Sequence, residues 1–199
     1  MTIASVVEGE GELSALPTLL RRLTHEAGVW DANIPKPYRV GRGRLIKQGG
    51  LEASVDALAD RVPADGAGGV LIVLDADDDC PAALGPSLLE RATAVRPDRR
   101  TAVVLAQREF EAWFIAAAPT LGGCRGLPHG LEVPTDCEVP RDCKGWLTHH
   151  RVDGRPYRPV ADQAALAEVF DIAMARANSP SFDKFCRDVH YLMTGKRGA

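Results

Sequence analysis

Two strand-like segments of this chain run directly into acidic residues, and this repeated pattern constrains the fold more than any other feature. The first segment, Thr2–Val7, is followed by EGEGE, and the second, Val70–Leu74, is followed by DADDD. Carboxylates packed so closely repel one another unless water, a partner side chain or a cation screens them. The sequence therefore predicts that one of these screening groups lies beside the acidic run Asp75–Asp79.

Strands and helices are predicted to alternate along the first half of the chain. Helical patterns are predicted at about Ser14–Ala27, Leu51–Val62 and Pro81–Val95, and a third clear strand at Thr101–Ala106. The segment from residue 30 to residue 50 is predicted to be a loop with room for one short strand. Because parallel neighbours need crossover connections, this order predicts an α/β fold with a mainly parallel sheet flanked by helices.

The second half of the chain is predicted to be helical around an irregular insertion. Helices are expected at Gln107–Ala117, Asp162–Ala177 and Ser181–Leu192, and the Gly- and Pro-rich stretch 121–142 is expected to be irregular. We therefore predict an α/β domain over residues 1–120. Residues 121–199 are predicted to be the insertion and a helical C-terminal extension packed on that domain.

Composition sets outer limits on function. The 199 residues, of which 45% are hydrophobic, suit one compact domain, and the net charge of −3 argues against a protein that coats nucleic acid electrostatically. The five cysteines include no CxxC pair, so we expect reduced thiols, although structural zinc in the stretch 124–150 stays an open alternative. No apolar run approaches the length of a membrane span, and we expect a cytoplasmic protein without a membrane partner.

The acidic residues after the first two clear strands are predicted to form a metal site. Ligands of open parallel sheets bind outside the carboxyl ends of the strands. Glu8 and Glu12 follow the first strand, and Asp75, Asp77 and Asp79 follow the second. If these strands are neighbours, their carboxylates form an oxygen-rich site of the kind that Mg²⁺ or Mn²⁺ prefers.

Other interpretations of these acids were compared with the metal site. An EF-hand loop shares the spacing that starts at Asp75, but Cys80 replaces its required Gly and Pro86 its required Glu. A haloacid-dehalogenase-type phosphatase also has Asp-x-Asp after a strand, yet its motif continues to Thr or Val rather than to Asp78 and Asp79; this alternative stays open. A dinucleotide fingerprint fails because its third glycine is absent. Solvated turns and helix caps explain either cluster alone, but not two clusters at equivalent strand ends.

The pattern of acids resembles the Toprim domain of topoisomerases, bacterial primases and nucleases of the overcoming-lysogenization-defect (OLD) class. A Glu after the first strand and an Asp-x-Asp after a later one match Glu8, Asp75 and Asp77, and the OLD-like branch adds an acid where Glu12 stands. The segments VVEGEGE, LDADDD, REFEAWF, KGWL and SPSFDKF, in this order, resemble the Toprim-like family DUF4276 and are also similar to RloB-type proteins. This resemblance covers nearly the whole chain.

The resemblance implies two-cation phosphodiester chemistry, in which one ion polarises the attacking water and the other stabilises the leaving oxygen. Glu8 would bind metal or act as general base, and Asp75 and Asp77 would be ligands. Lys144 resembles a recurrent lysine of the family and would neutralise charge developing on a phosphate. Of the two acids after the third strand, we favour Glu109 over Glu111 as a site residue, with a helix-dipole contact as the alternative.

Two basic segments are candidate substrate-binding residues, with solvated surface positions as the alternative in both cases. The first segment lies in a predicted loop, and its residues could contact phosphates while Tyr38 stacks on a base. The second segment is a pair of residues that lie one helical turn apart. The candidates are Arg39, Arg42 and Arg44 with the neighbouring Lys47, and Lys184 with Arg187.

The function predicted from these features is a Mg²⁺- or Mn²⁺-dependent Toprim nuclease acting on DNA or RNA. The chain has no G-x-x-x-x-G-K-[ST] phosphate loop and is not expected to hydrolyse ATP by that route. Because OLD-class relatives join Toprim to an ATPase, the resemblance implies a separately encoded ATPase partner and a role in anti-phage defence. The alternatives are a non-catalytic binding or regulatory partner of an ATPase and a small-molecule phosphohydrolase.

Overall fold

The computed structural model of the chain describes residues 1–64, 66–138 and 141–197. It has an α/β fold in which four parallel strands form one sheet flanked by helices, with further helices after the sheet, as the sequence predicts. In chain order the elements are β1 Thr2–Val7, α1 Glu12–Glu26, β2 Tyr38–Arg39, α2 Arg42–Leu45, α3 Gly50–Ala59, β3 Gly68–Asp75, α4 Pro81–Val95, β4 Thr101–Ala106, α5 Ala112–Ile115, a 3₁₀ helix Ala118–Leu121, α6 Cys143–His150, α7 Pro159–Val169, α8 Ile172–Asn178 and α9 Pro180–Thr194.

The strand order is β2-β1-β3-β4, so the two strands followed by acids are direct neighbours. Val7 at the end of β1 lies opposite Val73 of β3, and Asp75 at the end of β3 lies opposite Ala106. Every residue of β1 and β4 is buried, as expected for strands covered by helices on both faces. The carboxyl ends of β1, β3 and β4 therefore meet at one edge of the sheet.

Two hydrophobic cores lie on the two faces of the sheet, because alternate strand residues point to opposite faces. Ile3 and Val7 of β1 belong to a core shared with α1, α5 and the helices α6–α9. Ala4 and Val6 belong to a second core with α3 and α4. The helices after residue 121 therefore pack on the same face of the sheet as α1.

Several helical segments differ from the sequence-based prediction, and one of them is α2, which lies in the predicted loop 30–50. Within Gln107–Ala117 only the four residues of α5 are α-helical. The stretch 162–177 is divided between α7 and α8, because Phe170 adopts an extended conformation and Asp171 caps α8 by accepting a hydrogen bond from Met174 N. Helix α6 was not predicted, and it begins where Asp142 accepts a hydrogen bond from Gly145 N.

Within the described ranges, no helix combines the length and apolar character that crossing a bilayer requires.

Candidate functional site

The candidate site lies at the carboxyl edge of the sheet, where β1, β3 and β4 end side by side. Glu8 directly follows β1 and Asp75 is the last residue of β3, so the predicted juxtaposition of the two acidic segments is confirmed. The remaining residues of the site come from the start of α1, from α2, from the loop after β3, from the turn after β4, and from α6, α7 and the segment between them.

Glu12 is buried at the start of α1, where its carboxylate closes the turn that follows β1. Glu12 Oε2 accepts a hydrogen bond from Gly9 N at 3.0 Å. A side chain at position 9 would place its Cβ 2.6 Å from Glu12 Oε1, so the Glu12 carboxylate would have to move away from this turn. Burial raises the pKa of Glu12, while the Gly9 hydrogen bond and Lys144 oppose this shift. The EGEGE segment thus brings a buried carboxylate to the edge of the sheet.

Glu8 carries a buried oxygen that has no hydrogen-bond partner. This atom is Oε2, and it is one of five such side-chain atoms among the described residues. Burial raises the pKa of Glu8, and the neighbouring carboxylates of Asp77 and Glu12 raise it further. Since a buried oxygen without a partner is costly, this carboxylate is suited to accept a proton or a cation.

Asp75 is largely buried and links β3 to the turn after β4. Its Oδ1 accepts a hydrogen bond from Phe110 N at 2.7 Å. Burial holds the pKa of Asp75 well above its ordinary value, and the carboxylates of Glu12 and Glu111 add to the effect. The acids at the ends of three strands therefore lie close enough together for the charges of two of them to affect the pKa of the third, Asp75.

Arg42, predicted to contact phosphate, makes several contacts with the acidic loop after β3. Its Nε donates to the carbonyl oxygen of Asp75 at 3.1 Å, and its Nη2 donates to that of Ala76 at 3.3 Å. The same guanidinium pairs with Asp77, at 3.4 Å, and with Asp79. Arg42 thus clamps the acidic loop from the side of α2 and neutralises two of the predicted metal ligands.

Asp77 and Arg108 extend the contact between β3 and β4 beyond the strands. Both have left-handed backbones, with φ values of 50° and 65°. Arg108 Nη1 donates to the carbonyl oxygen of Asp77 and to Asp78 Oδ1, each at 2.9 Å. These residues line a cavity of about 260 Å³ together with Glu109 and Arg141. Arg108 and Arg141 were not predicted as site residues, although both are basic residues close in sequence to predicted ones.

Lys144 lies among the acids at the edge of the sheet, as expected for a site lysine. Its Nζ is 3.0 Å from Glu109 Oε1, 3.1 Å from Glu111 Oε2 and 4.0 Å from Asp75 Oδ2. The carboxylates of Glu111 and Asp75 raise the pKa of Lys144 and outweigh the effect of burial. The ammonium is therefore a permanent positive charge within the cluster.

Both Glu109 and Glu111 contact Lys144, whereas the sequence analysis favoured Glu109 alone. The reason is that residues 107–111 form turns rather than a helix, so the two side chains need not diverge. Glu111 is only 1% exposed, and its Oε1 accepts hydrogen bonds from Tyr157 Oη at 3.1 Å and Gln163 Nε2 at 3.4 Å. Tyr157 and Gln163 were missed because only the fold brings them to this position.

The other predicted substrate-binding residues lie outside this cluster. Arg39 and Arg44 are exposed, and Arg39 Nε donates to the carbonyl oxygen of Glu8 at 3.3 Å. Arg44 and Lys47 line an open cavity of about 460 Å³ beside the start of α3.

Lys184 and Arg187, the predicted pair on α9, contact strand β4 and acidic residues of α9 itself. Lys184 Nζ bonds to Asp188 and to the carbonyl oxygen of Val103, and Arg187 pairs with Asp183. The described contacts of Lys184 and Arg187 therefore do not join them to the acids at the strand ends.

The acids at the strand ends do not form a ready cage for a metal ion. In the part of the chain that the structure describes, no group of three or more His, Cys, Asp or Glu side chains is arranged to hold one. The acids instead surround Lys144 and Arg42, and among the described carboxylates only Glu8 keeps a buried oxygen without a hydrogen-bond partner. The donors at the strand ends are carboxylate oxygens, which suit a hard divalent cation. The same finding gives the zinc alternative no support within the described ranges.

Comparison with known proteins gives one family match. The model of the family described as "Domain of unknown function (DUF4276)" matches residues 7–190. No curated protein and no solved structure matches the chain in these comparisons.

Proposed function

This chain belongs to the DUF4276 family, and we propose that it is a divalent-metal-dependent nuclease of Toprim type that hydrolyses phosphodiester bonds of DNA or RNA. One observation carries the proposal. Glu8 and Asp75 lie at adjacent ends of parallel strands, and Glu8 has a buried oxygen without a hydrogen-bond partner. A divalent cation bound there would satisfy this oxygen and relieve the repulsion among the neighbouring acids.

The residues suited to hold Mg²⁺ or Mn²⁺ are Glu8 and Asp75, with Glu12 and Asp77 beside them. Asp79 is the least available of the predicted ligands because it pairs with Arg42. When bound, the ion supplies Lewis-acid polarisation of the phosphate and of the attacking water. Because these carboxylates do not form a ready cage, we expect ion binding to require side-chain movement at Glu8.

The residues of the chain itself supply charge and proton acceptors. In hydrolysis the water oxygen attacks phosphorus, the bond to the leaving oxygen breaks, and one proton moves from water to a base. Where Glu8 does not itself bind the ion, it is suited to accept that proton, because burial and its acidic neighbours raise its pKa. The ammonium of Lys144, whose side chain is 38% exposed, is suited to stabilise the charge that develops on the phosphate.

A nucleic acid substrate also requires positive surface near these acids. Arg39 of β2 and Arg44 of α2 are exposed, and Arg108 and Arg141 line the cavity next to Glu109. These arginines suit contacts with the phosphates that flank the reacting bond. The ATPase partner and the role in anti-phage defence stay predictions from the family resemblance.

The proposal is tested by incubating the purified protein with labelled DNA, RNA and tRNA in Mn²⁺ or in chelator. We expect cleavage in Mn²⁺ that is lost in Glu8→Gln and Asp75→Asn but kept in Glu90→Gln. Glu90 is an exposed glutamate of α4 and serves as the matched control. Cleavage that survives both site substitutions would indicate a contaminating nuclease and would contradict the proposal.

Two further outcomes would favour the alternatives. Hydrolysis of a generic phosphate ester without cleavage of any nucleic acid would indicate a small-molecule phosphohydrolase. Binding to an ATPase that both substitutions leave unchanged, with no hydrolysis of either kind, would indicate a non-catalytic partner.

A further inference from the structure

We infer that the segment 32–51 binds the phosphate backbone of a nucleic acid and that this binding requires no metal ion. The inference rests on the proposed function for its class of ligand, because a nuclease must hold a nucleic acid. It places the binding surface beside the strand ends rather than among their acids. Binding can therefore be measured in chelator, where the proposed cleavage does not occur.

The charge of this segment differs from that of the whole chain. The chain has a net charge of −3, yet no Asp or Glu stands between Asp31 and Glu52. Glu52 itself pairs with Arg91, whose Nε lies 2.7 Å from Glu52 Oε1. A local excess of positive charge attracts a polyanion even when the chain as a whole is acidic. The stretch contains five basic residues, which are Lys36, Arg39, Arg42, Arg44 and Lys47.

Four of these five cations are exposed and have no ion pair among the described residues. Arg42 is the exception, because it pairs with acids of the loop after β3. Arg108 and Arg141, which line the cavity next to Glu109, also differ, since both pair with Asp78. A phosphate that binds the exposed four displaces no ion pair. These four are Lys36, Arg39, Arg44 and Lys47.

The backbone of the segment is held in place from the inside. Leu45 of α2 is fully buried in the core that lies under α3 and α4. Arg91 of α4 donates to the carbonyl oxygens of Ile46 and Lys47, each at 2.8 Å. The backbone that carries Arg44 and Lys47 therefore need not be ordered when a ligand binds, which lowers the cost of binding.

The surface between α2 and α3 is open and contains no carboxylate. Arg44 and Lys47 line its cavity of about 460 Å³. A Cβ at Gly43 or Gly49 would meet no described atom within 4 Å apart from those of the adjacent residues. A ligand backbone can therefore approach the chain closely at this point. The other lining residues are Gly43, Gln48, Gly49 and Gly50.

A chain of phosphates fits this surface better than a single anion does. Arg39 lies on β2, Arg44 on α2 and Lys47 in the turn before α3, so the cations follow one another over consecutive elements. Arg39 Nε also donates to the carbonyl oxygen of Glu8 at 3.3 Å, which places the first of these cations at the strand ends. The surface is thus continuous with the candidate functional site.

Recognition of bases is expected to contribute little. Tyr38 is the one aromatic residue of the segment. The guanidinium of Arg61 lies over the Tyr38 ring, 4.6 Å from its centroid, and Arg61 Nη2 donates to Tyr38 Oη at 2.7 Å. One face of the ring and its hydroxyl are therefore already engaged. We expect phosphate contacts to dominate, so that nucleic acids of unrelated sequence bind equally well.

The test measures the binding of a short fluorescent DNA duplex by fluorescence anisotropy in chelator, over a range of NaCl concentrations. We expect binding that weakens as salt rises and that is equal for two duplexes of unrelated sequence. Replacing two cations together, by Arg44→Gln and Lys47→Gln, should weaken binding about tenfold at low salt. The slope of log affinity against log salt should become shallower by about two.

The matched control removes one Arg and one Lys from another surface. Arg21 of α1 and Lys196 after α9 are exposed, and neither has an ion pair within the described ranges. Helices α1 and α9 pack on the face of the sheet opposite to that of Leu45. Arg21→Gln combined with Lys196→Gln lowers the net charge by the same amount and should leave the affinity and its salt slope nearly unchanged.

The results separate this inference from the proposed function. Absence of binding in chelator, or equal weakening by both double substitutions, would overturn the inference and leave a metal-dependent nuclease standing. Binding in chelator without cleavage in Mn²⁺ would support the inference and overturn the proposed function. Tighter binding to vesicles of anionic phospholipid than to the duplex would overturn the inference and indicate a membrane surface. If circular dichroism shows that the double variant does not fold, Arg44→Gln alone should make the slope shallower by about one, and an unchanged slope would overturn the inference.

Discussion

Asp77 and Arg108 hold each other in left-handed backbone conformations just beyond the ends of two neighbouring strands. The backbone N of Asp77 donates to the carbonyl oxygen of Arg108 at 3.0 Å, and Arg108 Nη1 returns a hydrogen bond to the carbonyl oxygen of Asp77 at 2.9 Å. Non-glycine residues rarely adopt this conformation, and it concentrates at functional sites. The backbone conformations of Asp77 and Arg108 place the side chains that follow β3 and β4 along one edge of the sheet.

The backbone at Asp77 predicts a difference between two neutral substitutions. Asp77→Asn should keep the stability of the fold, because Asn tolerates the left-handed region. Asp77→Val should lower the unfolding free energy by about 1–2 kcal/mol more than Asp77→Asn does, since a β-branched side chain does not tolerate the left-handed region. Urea unfolding followed by circular dichroism measures both. Asp78→Val, at a position without positive φ, is the control, and equal stability of the two Asp77 variants would contradict the prediction.

The hydrogen bond of Asp75 predicts that Asp75→Asn and Asp75→Ala change the unfolding free energy in opposite directions when both are measured in chelator. The sequence alone suggests that any removal of this carboxylate is neutral or stabilising, because it removes repulsion. Asp75 Oδ1, however, accepts from the N–H of the buried Phe110. Asp75→Asn keeps an oxygen acceptor and should leave the unfolding free energy unchanged or higher. Asp75→Ala leaves a buried donor unsatisfied and should cost about 1–3 kcal/mol. Urea titrations in chelator distinguish these outcomes, and the same loss in both variants would argue against electrostatic repulsion at this position.

The contacts of Arg42 predict that its substitution lowers the stability of the fold and does not affect substrate binding alone. Arg42→Gln removes the donors to two backbone carbonyls and the ion pairs with Asp77 and Asp79. We expect a loss of about 1–3 kcal/mol in unfolding free energy and faster hydrogen exchange in the loop after β3. Arg44→Gln, an exposed arginine two residues away, should change stability by less than about 0.5 kcal/mol. Equal effects of the two substitutions would show that Arg42 does not clamp the loop.

The raised pKa values of Glu8, Glu12 and Asp75 predict how stability depends on pH in the absence of metal. Each carboxyl binds its proton more tightly in the folded state, so the folded state holds more protons above the ordinary pKa values of 4.5 and 3.8. The unfolding free energy should therefore fall over the interval in which the pH rises above these ordinary values. Thermal melts in chelator measure this trend, and Glu8→Gln should flatten it. A melting temperature that rises over this interval would contradict the prediction.

Acids with lowered pKa values act in a different pH range. The guanidinium of Arg91 lowers the pKa of Glu52 to about 2, and that of Arg151 lowers the pKa of Asp153. Their stabilising contribution is present above the ordinary pKa of each group and is lost as the pH falls toward the lowered one. They therefore affect the melts below about pH 5 and do not mask the trend above it.

Most of the sheet could be predicted from the sequence because three of its four strands, β1, β3 and β4, are short, apolar and clearly bounded. The bounds predicted for β1 and β4 agree with the structure, since each run ends where a charged or polar residue follows. Helix α4 also has its predicted bounds, with Pro81 at its first position. The neighbouring placement of β1 and β3 entered the sequence analysis only as a condition of the metal site, because the alternation of strands and helices leaves the strand order open.

The inner part of the candidate site could not be predicted, because its contacts join distant parts of the chain. Tyr157 reaches Glu111 across 46 residues, and Arg42 reaches the backbone of Asp75 across 33. No local period or spacing encodes such contacts. Helix α6 was also missed, because its eight residues are too few for a clear apolar pattern.

The contact between Lys184 and Val103 has a consequence for self-association. Strand β4 is the last strand of the sheet, and such a strand exposes backbone groups that can pair with another molecule. By donating to the carbonyl oxygen of Val103, Lys184 occupies one of these groups, and α9 lies against the same strand. A chain whose final helix were removed would present an uncovered β4 and should polymerise through intermolecular strand pairing.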